Sequence, residues 1–473
     1  MSVLPPTGAE HPPGHVLDPT PPAPPAPSAQ RRRRAALLGV SLGYFMVLLD
    51  LTVLAVAEPD LVASLGMSAT GLQWVTTAYT VVFAALLLTA GALADRHGAW
   101  RVFRVGTAAF GALSLLCAAA PGTGALVAAR AVLGVAAAAV VPSSMAVVAR
   151  LYPDPAARTR AVAAWAAVSG AAVAAGPLVG GLLVQLAGWR AVFVVNAPIA
   201  VLALGLAAGR GAASPPGTRR IDWPAQAGAC LALALATDAV IAVGGGAWRH
   251  AAVSAVLSVA AGSAFVRREL RSTAPVLGAG LLRSPVVRAG LAVGAAVNFA
   301  LAGDLFVLPL LFQGDRGLGA LATGVALLPL TLPFVVNPPL TGRIVVAVGP
   351  RTPIVGGTVL LAVGALVLAA GSRAGAGYAV LAVGLLLTGA GVSFVLPAVV
   401  AALVEAAPPG TAGAVAGVLN ACRQSGATLG VAVMGACAGT TAHPTGSAAA
   451  LLVPAGVCAA AGLWFAVRTS PSR

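Results

Sequence analysis

The chain has 473 residues, 59% of them hydrophobic and only 9% charged, against roughly a quarter charged in an ordinary soluble domain. A soluble fold of that composition could not cover its surface with polar groups, whereas a protein dissolved in lipid is free to be apolar outside. The net charge of +15 comes from arginines scattered in small groups among short loops. There is no basic face or aromatic-basic motif, which excludes a nucleic-acid partner.

Residues 1–34 hold a Pro-rich stretch without an apolar core and then the run Arg31 to Arg34. They read as a disordered tail ending in an arginine anchor at the membrane surface, not as a cleavable signal. A spanning helix needs about 20 consecutive apolar residues. Such stretches recur at approximately 35–57, 72–94, 102–120, 125–149, 161–186, 190–208, 224–244, 250–266, 286–312, 320–347, 352–371, 376–402, 412–437 and 447–467. The expectation is therefore an all-α integral membrane protein of 14 spans, since helices satisfy their own backbone groups in lipid.

The positive-inside rule tests that number. With both termini cytoplasmic, 22 of the 28 arginines fall on the inner side, four (Arg190, Arg249, Arg316, Arg373) outside, and two (Arg130, Arg423) within spans. One span more or fewer would put later Arg-rich loops on the wrong side. Longer polar connections at 209–220 and 267–285 divide the helices six, two and six. The expected layout is a bundle at 35–208, a linker with two inserted helices at 209–285, a second bundle at 286–467 and a tail at 468–473. Two pseudo-symmetric bundles are a known transporter arrangement.

Few residues in the spans could carry chemistry. Asp50 lies in the first span and Arg130 in the fourth. A charge within a membrane is expensive and by default functional, and a buried guanidinium needs an acidic or carbonyl partner. The alternative for Asp50 is a structural acid satisfied by a neighbouring helix. Asp304 in the ninth span and Asp238 in the seventh are similar oddities; Asp304 ranks higher because its span belongs to a bundle. Gly170, Gly176, Pro177, Gly180 and Gly181 in the fifth span allow close helix approach and a bend. Asn298, Asn337, Asn420 and Gln424 are the polar groups expected to orient a cargo in an otherwise apolar cavity. The five cysteines (Cys117, Cys230, Cys422, Cys437, Cys458) show no metal-binding spacing and read as small buried hydrophobes. No Ser/His/Asp set, metal cluster or phosphate loop appears, so neither an enzyme nor a resident cofactor is expected.

After the second span the chain reads Gly91-Ala-Leu-Ala-Asp95-Arg96-His97-Gly98-Ala-Trp-Arg101. This resembles the loop signature of the major facilitator superfamily, and Gly342-Arg343 with Gly349-Pro350-Arg351 is a degraded echo after the tenth span. Leu49-Asp50-Leu51-Thr52-Val53, Arg130-Ala-Val-Leu-Gly134 and Gly176-Pro177-Leu-Val-Gly180-Gly181 resemble three motifs of its fourteen-helix drug:proton antiporter family. Ala55 stands where that family has Asn, Leu133 where it has Gln, and Glu58 where it usually has an apolar residue. Within the family the resemblance runs toward the antibiotic-resistance exporters of the methylenomycin type. It implies proton-coupled efflux of a small amphipathic drug from the bacterial cytoplasm, powered by the proton gradient, by a monomer in the inner membrane. Asp50, Arg130 and Asp304 would carry coupling. A metabolite or siderophore exporter, or an uptake carrier, on the same fold stays open.

Overall fold

The computed structural model describes residues 27–208, 222–272, 283–407, 412–439 and 444–469. The expected tail up to residue 26, most of both polar connections and the last four residues lie outside that set. Helix α1 runs Pro27–Leu65, so the arginine run expected to anchor the tail forms exposed early turns of a helix. It is followed by α2 (Ala69–His97), α3 (Ala99–Ala118), α4 (Thr123–Leu151), α5 (Pro155–Ala187), α6 (Ala191–Val194) and α7 (Asn196–Leu206). Then come the hairpin of α8 (Trp223–Gly244) and α9 (Trp248–Arg271), and α10 (Pro285–Leu310), continued by a π-helical turn at Leu311–Asp315. The last set is α11 (Ala320–Ala326), α12 (Leu328–Thr331), α13 (Pro333–Val348), α14 (Arg351–Arg373), α15 (Tyr378–Glu405), α16 (Ala412–Gly439) and α17 (Pro444–Arg468).

Local sequence explains where many of these begin and break. Asp154 and Ser284 cap α5 and α10, accepting from the backbone N–H of Ala157 and Val287, and a proline follows each cap. Proline needs no amide partner at that position. Pro329 and Pro333 lack that N–H deeper in a segment, and there the expected tenth span divides into α11, α12 and α13. Gly98 joins α2 to α3 with φ +92°, and Gly349 joins α13 to α14 with φ +79°. Side chains rarely adopt that backbone, so both copies of the loop motif keep glycine at the turn.

Among the described residues, twelve helices are long and apolar enough to cross a membrane. Two further expected segments are helical but fall outside that set. The stretch Ala191–Leu206 is short and broken at Val195. Helix α16 has the length but carries Asn420, Arg423, Gln424 and Ser425 along its middle. Exposed apolar side chains such as Leu186 (73%), Val201 (71%) and Val259 (70%) face outward around the molecule. That exterior suits lipid and not water.

The helix pairing repeats. In the first half α1 packs on α4, α5 and α7, α4 on α2 and α3, and α3 on α7. In the second half α10 packs on α15, α16 and α17, α15 on α13 and α14, and α14 on α17. Each contact has its counterpart when α10 is matched to α1 and α13 to α2, with α14 to α17 following in order. The two sets meet through α1 with α10, α2 with α16, and α5 with α11, α12 and α13. The α8–α9 hairpin leans on α2 and α16, beside one seam between the sets.

Candidate functional site

Helix α1 contributes two acids eight residues apart, and at 3.6 residues per turn they lie about 80° apart around its axis. Asp50 therefore turns into the first helix set while Glu58 turns toward the seam. Asp50 is fully buried and meets Arg130 of α4, with Nη1 donating to Oδ2 at 2.5 Å. Its other oxygen accepts from Asn196 Nδ2 at 2.9 Å, and that amide also donates to Ser114 Oγ of α3 at 3.3 Å. Arg130 Nε donates to the Val75 carbonyl of α2 at 3.2 Å. The guanidinium lies over the Tyr79 ring, 4.5 Å from its centre, with Phe193 5.7 Å away. Hydrogen-bonding groups from five helices thus close on one ion pair, which compensates both charges where water cannot.

A cavity of about 650 Å³ lies between the two sets. One face of α1 lines it through Tyr44, Leu48, Leu51, Ala55 and Glu58, at a spacing that returns to the same side every turn or two. Trp165, stacked on Tyr44 with ring centres 4.5 Å apart, adds a flat aromatic wall. Phe306 and Phe334 come from the other set, and Arg130 reaches the cavity at its edge. Among the four cargo-orienting residues expected from sequence, Asn298 and Gln424 line this cavity. The other two stand behind its wall: Asn337 donates to Ser393 Oγ at 2.8 Å, and Asn420 Oδ1 accepts from Arg423 at 3.1 Å. Ser393 and Arg423 are the groups that face the cavity.

Asp304 does not reach it. The side chain is fully buried in α10, neither carboxyl oxygen has a hydrogen-bond partner among the described residues, and the adjacent Gly303 lies against Met434 of α16. Asp238 bonds His250 Nε2 at 2.6 Å and Ser254 Oγ at 2.5 Å, closing the α8–α9 hairpin on itself. At the hairpin's far end Arg268 Nε donates to both oxygens of Asp222, at 2.8 and 2.9 Å. That guanidinium holds the Asp222 carboxyl below its ordinary range.

The glycines of α5 explain how the seam closes. A Cβ on Gly176 would strike Thr52 of α1, and one on Gly180 would lie 2.5 Å from the Val53 carbonyl. A Cβ on Gly181 would lie 2.5 Å from the Ala320 carbonyl of α11, and Gly324 of α11 backs onto Pro177. Gln313 Nε2 donates to the Val56 carbonyl at 2.9 Å and Thr331 to Ala174 at 3.2 Å. The contacts that involve α1, at Thr52, Val53 and Val56, fall beyond Leu51, away from the end that carries Arg31–Arg34. At that arginine end the residues of the loop motif stand apart. Gly91 is half-buried beside Pro142, Gly98 makes the turn, and Asp95, Arg96 and Arg101 are exposed.

Asn196, Ser114, Tyr79 and Glu58 were not among the site residues expected from sequence. Glu58 could have been found from the spacing of Tyr44, Leu48, Leu51 and Ala55, which puts it on the same face. Asn196 and Ser114 give no such signal, because polar residues in spans are common and only the fold brings these two to Asp50.

Two repeated helix sets facing one another across a cavity that both of them wall, with a buried ion pair at its edge, define a membrane transporter. The sequence pattern of the Major Facilitator Superfamily matches residues 40–431 and again 338–473, and the chain belongs to that superfamily. The methylenomycin A resistance protein of Streptomyces coelicolor is 36% identical over 395 residues, 83% of each chain. The puromycin resistance protein of Streptomyces alboniger is 36% identical over 442 residues, 91% of this chain and 85% of that one. A multidrug resistance protein of Mycobacterium tuberculosis is 33% identical over 408 residues, 86% of this chain and 76% of its own. Among solved structures an auto-inhibited peptide transporter superposes with a TM-score of 0.67 at 15% identity, covering 94% of this chain and 97% of that one. It shows the shared fold. The protein is a multi-pass membrane transporter with drug-resistance relatives, and not an enzyme.

Proposed function

We propose that this protein exports a small amphipathic drug or antibiotic from the cytoplasm in exchange for protons, by alternating access of its two helix sets. The observation that carries the reading is the buried Asp50–Arg130 pair at the edge of the central cavity. A proton arriving at Asp50 releases Arg130, and a released guanidinium in an apolar site must find other partners. That demand links protonation to helix movement. Asp304, buried and unpartnered, is the second proton site. Asn298 and Gln424 orient the cargo directly, with Asn337 and Asn420 acting through Ser393 and Arg423.

The seam is closed beyond Leu51 of α1, which corresponds to a cavity reached from the arginine-rich side. With that side cytoplasmic, the conformation is inward-facing and both termini lie inside. In this reading the chain crosses a bacterial cytoplasmic membrane fourteen times as a monomer, with Ala191–Leu206 and α16 as the remaining two spans. Their shortness and polarity are tolerable because α7 packs on α1 and α3, and α16 on α10 and α2.

The test is dye efflux from energised cells expressing Asp50→Asn, beside ligand binding to the purified variant. The expected result is binding within about threefold of wild type and the loss of gradient-driven efflux. Wild-type efflux with an intact proton gradient removes Asp50 from coupling.

A further inference from the structure

The cavity presents to its cargo an acid that the coupling network leaves unused. Glu58 is 1% exposed and lines the cavity, yet it makes no ion pair among the described residues. One oxygen accepts a single long bond from Thr76 Oγ1, 3.4 Å away on α2. The other, Oε2, is buried with no partner among the described residues. Two guanidiniums line the same cavity and neither pairs with Glu58: Arg130 binds Asp50, and Arg423 donates from Nη1 to Asn420 while its Nε is buried with no partner among the described residues.

A carboxylate withdrawn from water without a counter-charge is costly, and a ligand that brings the counter-charge recovers that cost. The surrounding walls are apolar, with the stacked Tyr44–Trp165 pair and Phe306 suited to the flat or greasy body of such a ligand. Neither of the other buried acids of the two helix sets can serve. Asp50 has both oxygens engaged inside the first helix set, and Asp304 lies off the cavity.

We propose that Glu58 is the specificity-determining residue of this transporter, anchoring amphipathic substrates through a protonated amine received at Oε2. The proposal rests on the central cavity being the transport site. It assigns to α1 two separate tasks, with Asp50 serving the machine and Glu58 choosing the cargo. An uncharged analogue of the same shape keeps the apolar contacts and gains nothing from the carboxylate.

The experiment compares dansylcadaverine, a fluorescent amphipathic amine, with its N-acetyl derivative, which lacks the charge. Binding to purified protein in detergent is followed by dansyl fluorescence, and efflux is followed in cells. Wild type should bind the amine at least about 30-fold more tightly than the acetyl compound, the scale of a buried charge pair. Glu58→Gln should remove that preference while leaving acetyl-compound binding within about threefold, which also shows that the variant is folded. Glu58→Asp should recover part of the preference. Equal affinity of wild type for both compounds, or an unchanged preference in Glu58→Gln, overturns the proposal. If wild type binds the amine selectively but effluxes neither compound, the exporter reading fails while the assignment of Glu58 stands.

Discussion

In the first helix set the buried acid of α1, Asp50, is met by Arg130, Asn196 and the backbone that holds them, so that two charges share one site among five helices. In the second set the matching helix α10 also buries an acid, Asp304, but α15, the counterpart of α4, brings no arginine to it, and both oxygens lack a partner among the described residues. The same packing scheme thus supports an ion pair in one half and an isolated carboxyl in the other. Pairing makes Asp50 part of the first set's stability as well as of its chemistry. In the proposed reading, isolation leaves Asp304 without a structural partner to lose, so it can take up and release a proton during a transport cycle.

The largest effect should come from Arg130→Ala, which leaves Asp50 buried without its counter-charge. A loss of about 3–5 kcal/mol is expected, read as a lower melting temperature of the purified protein, with part of it recovered when Asp50→Asn is added. An unaltered melt would mean that the pair is not structural, and the contrast between the halves would break. Asp304→Asn should move the opposite way or hardly at all, staying within about 1 kcal/mol of wild type, while efflux loses its dependence on the proton gradient. A large drop in its melting temperature would reveal a partner for Asp304 and make the halves alike.

The smallest effect is expected outside both sets, at Asp222 and Arg268 of the inserted hairpin. Arg268 is half exposed, so Arg268→Ala should cost about 0.5 kcal/mol or less at neutral pH. Because Arg268 lowers the Asp222 carboxyl, the contribution is present above the ordinary aspartate range, near 3.9, and fades as pH falls through the lower folded value. Melting curves of variant and wild type should therefore converge in acid. A difference that persists there would mean that Arg268 acts through packing.

Much of this was legible in the chain. Asp50 and Arg130 stood out because charges are rare in apolar spans, and the glycine motif of α5 pointed to close helix approach. What could not be read was their meeting across 80 residues, since spacing along a chain says nothing about which face of α4 turns toward α1. Asn337 and Asn420 are expected from sequence to orient a cargo in the cavity, but neither lines it; each hydrogen-bonds a residue that does. Glu58 was passed over although it shares a helix face with Tyr44 and Leu51, because one departure from a motif carries no weight until the cavity beside it is known.

The sequence by itself determined the solvent, the helices and their punctuation. Apolar length, proline placement and capping residues act over a turn or two and need no distant partner. Only the tertiary structure decided that Asp50 is paired, Asp304 alone and Glu58 offered to a ligand. Those fates depend on the rotation of each helix about its axis, which is set by packing against helices far away in the chain.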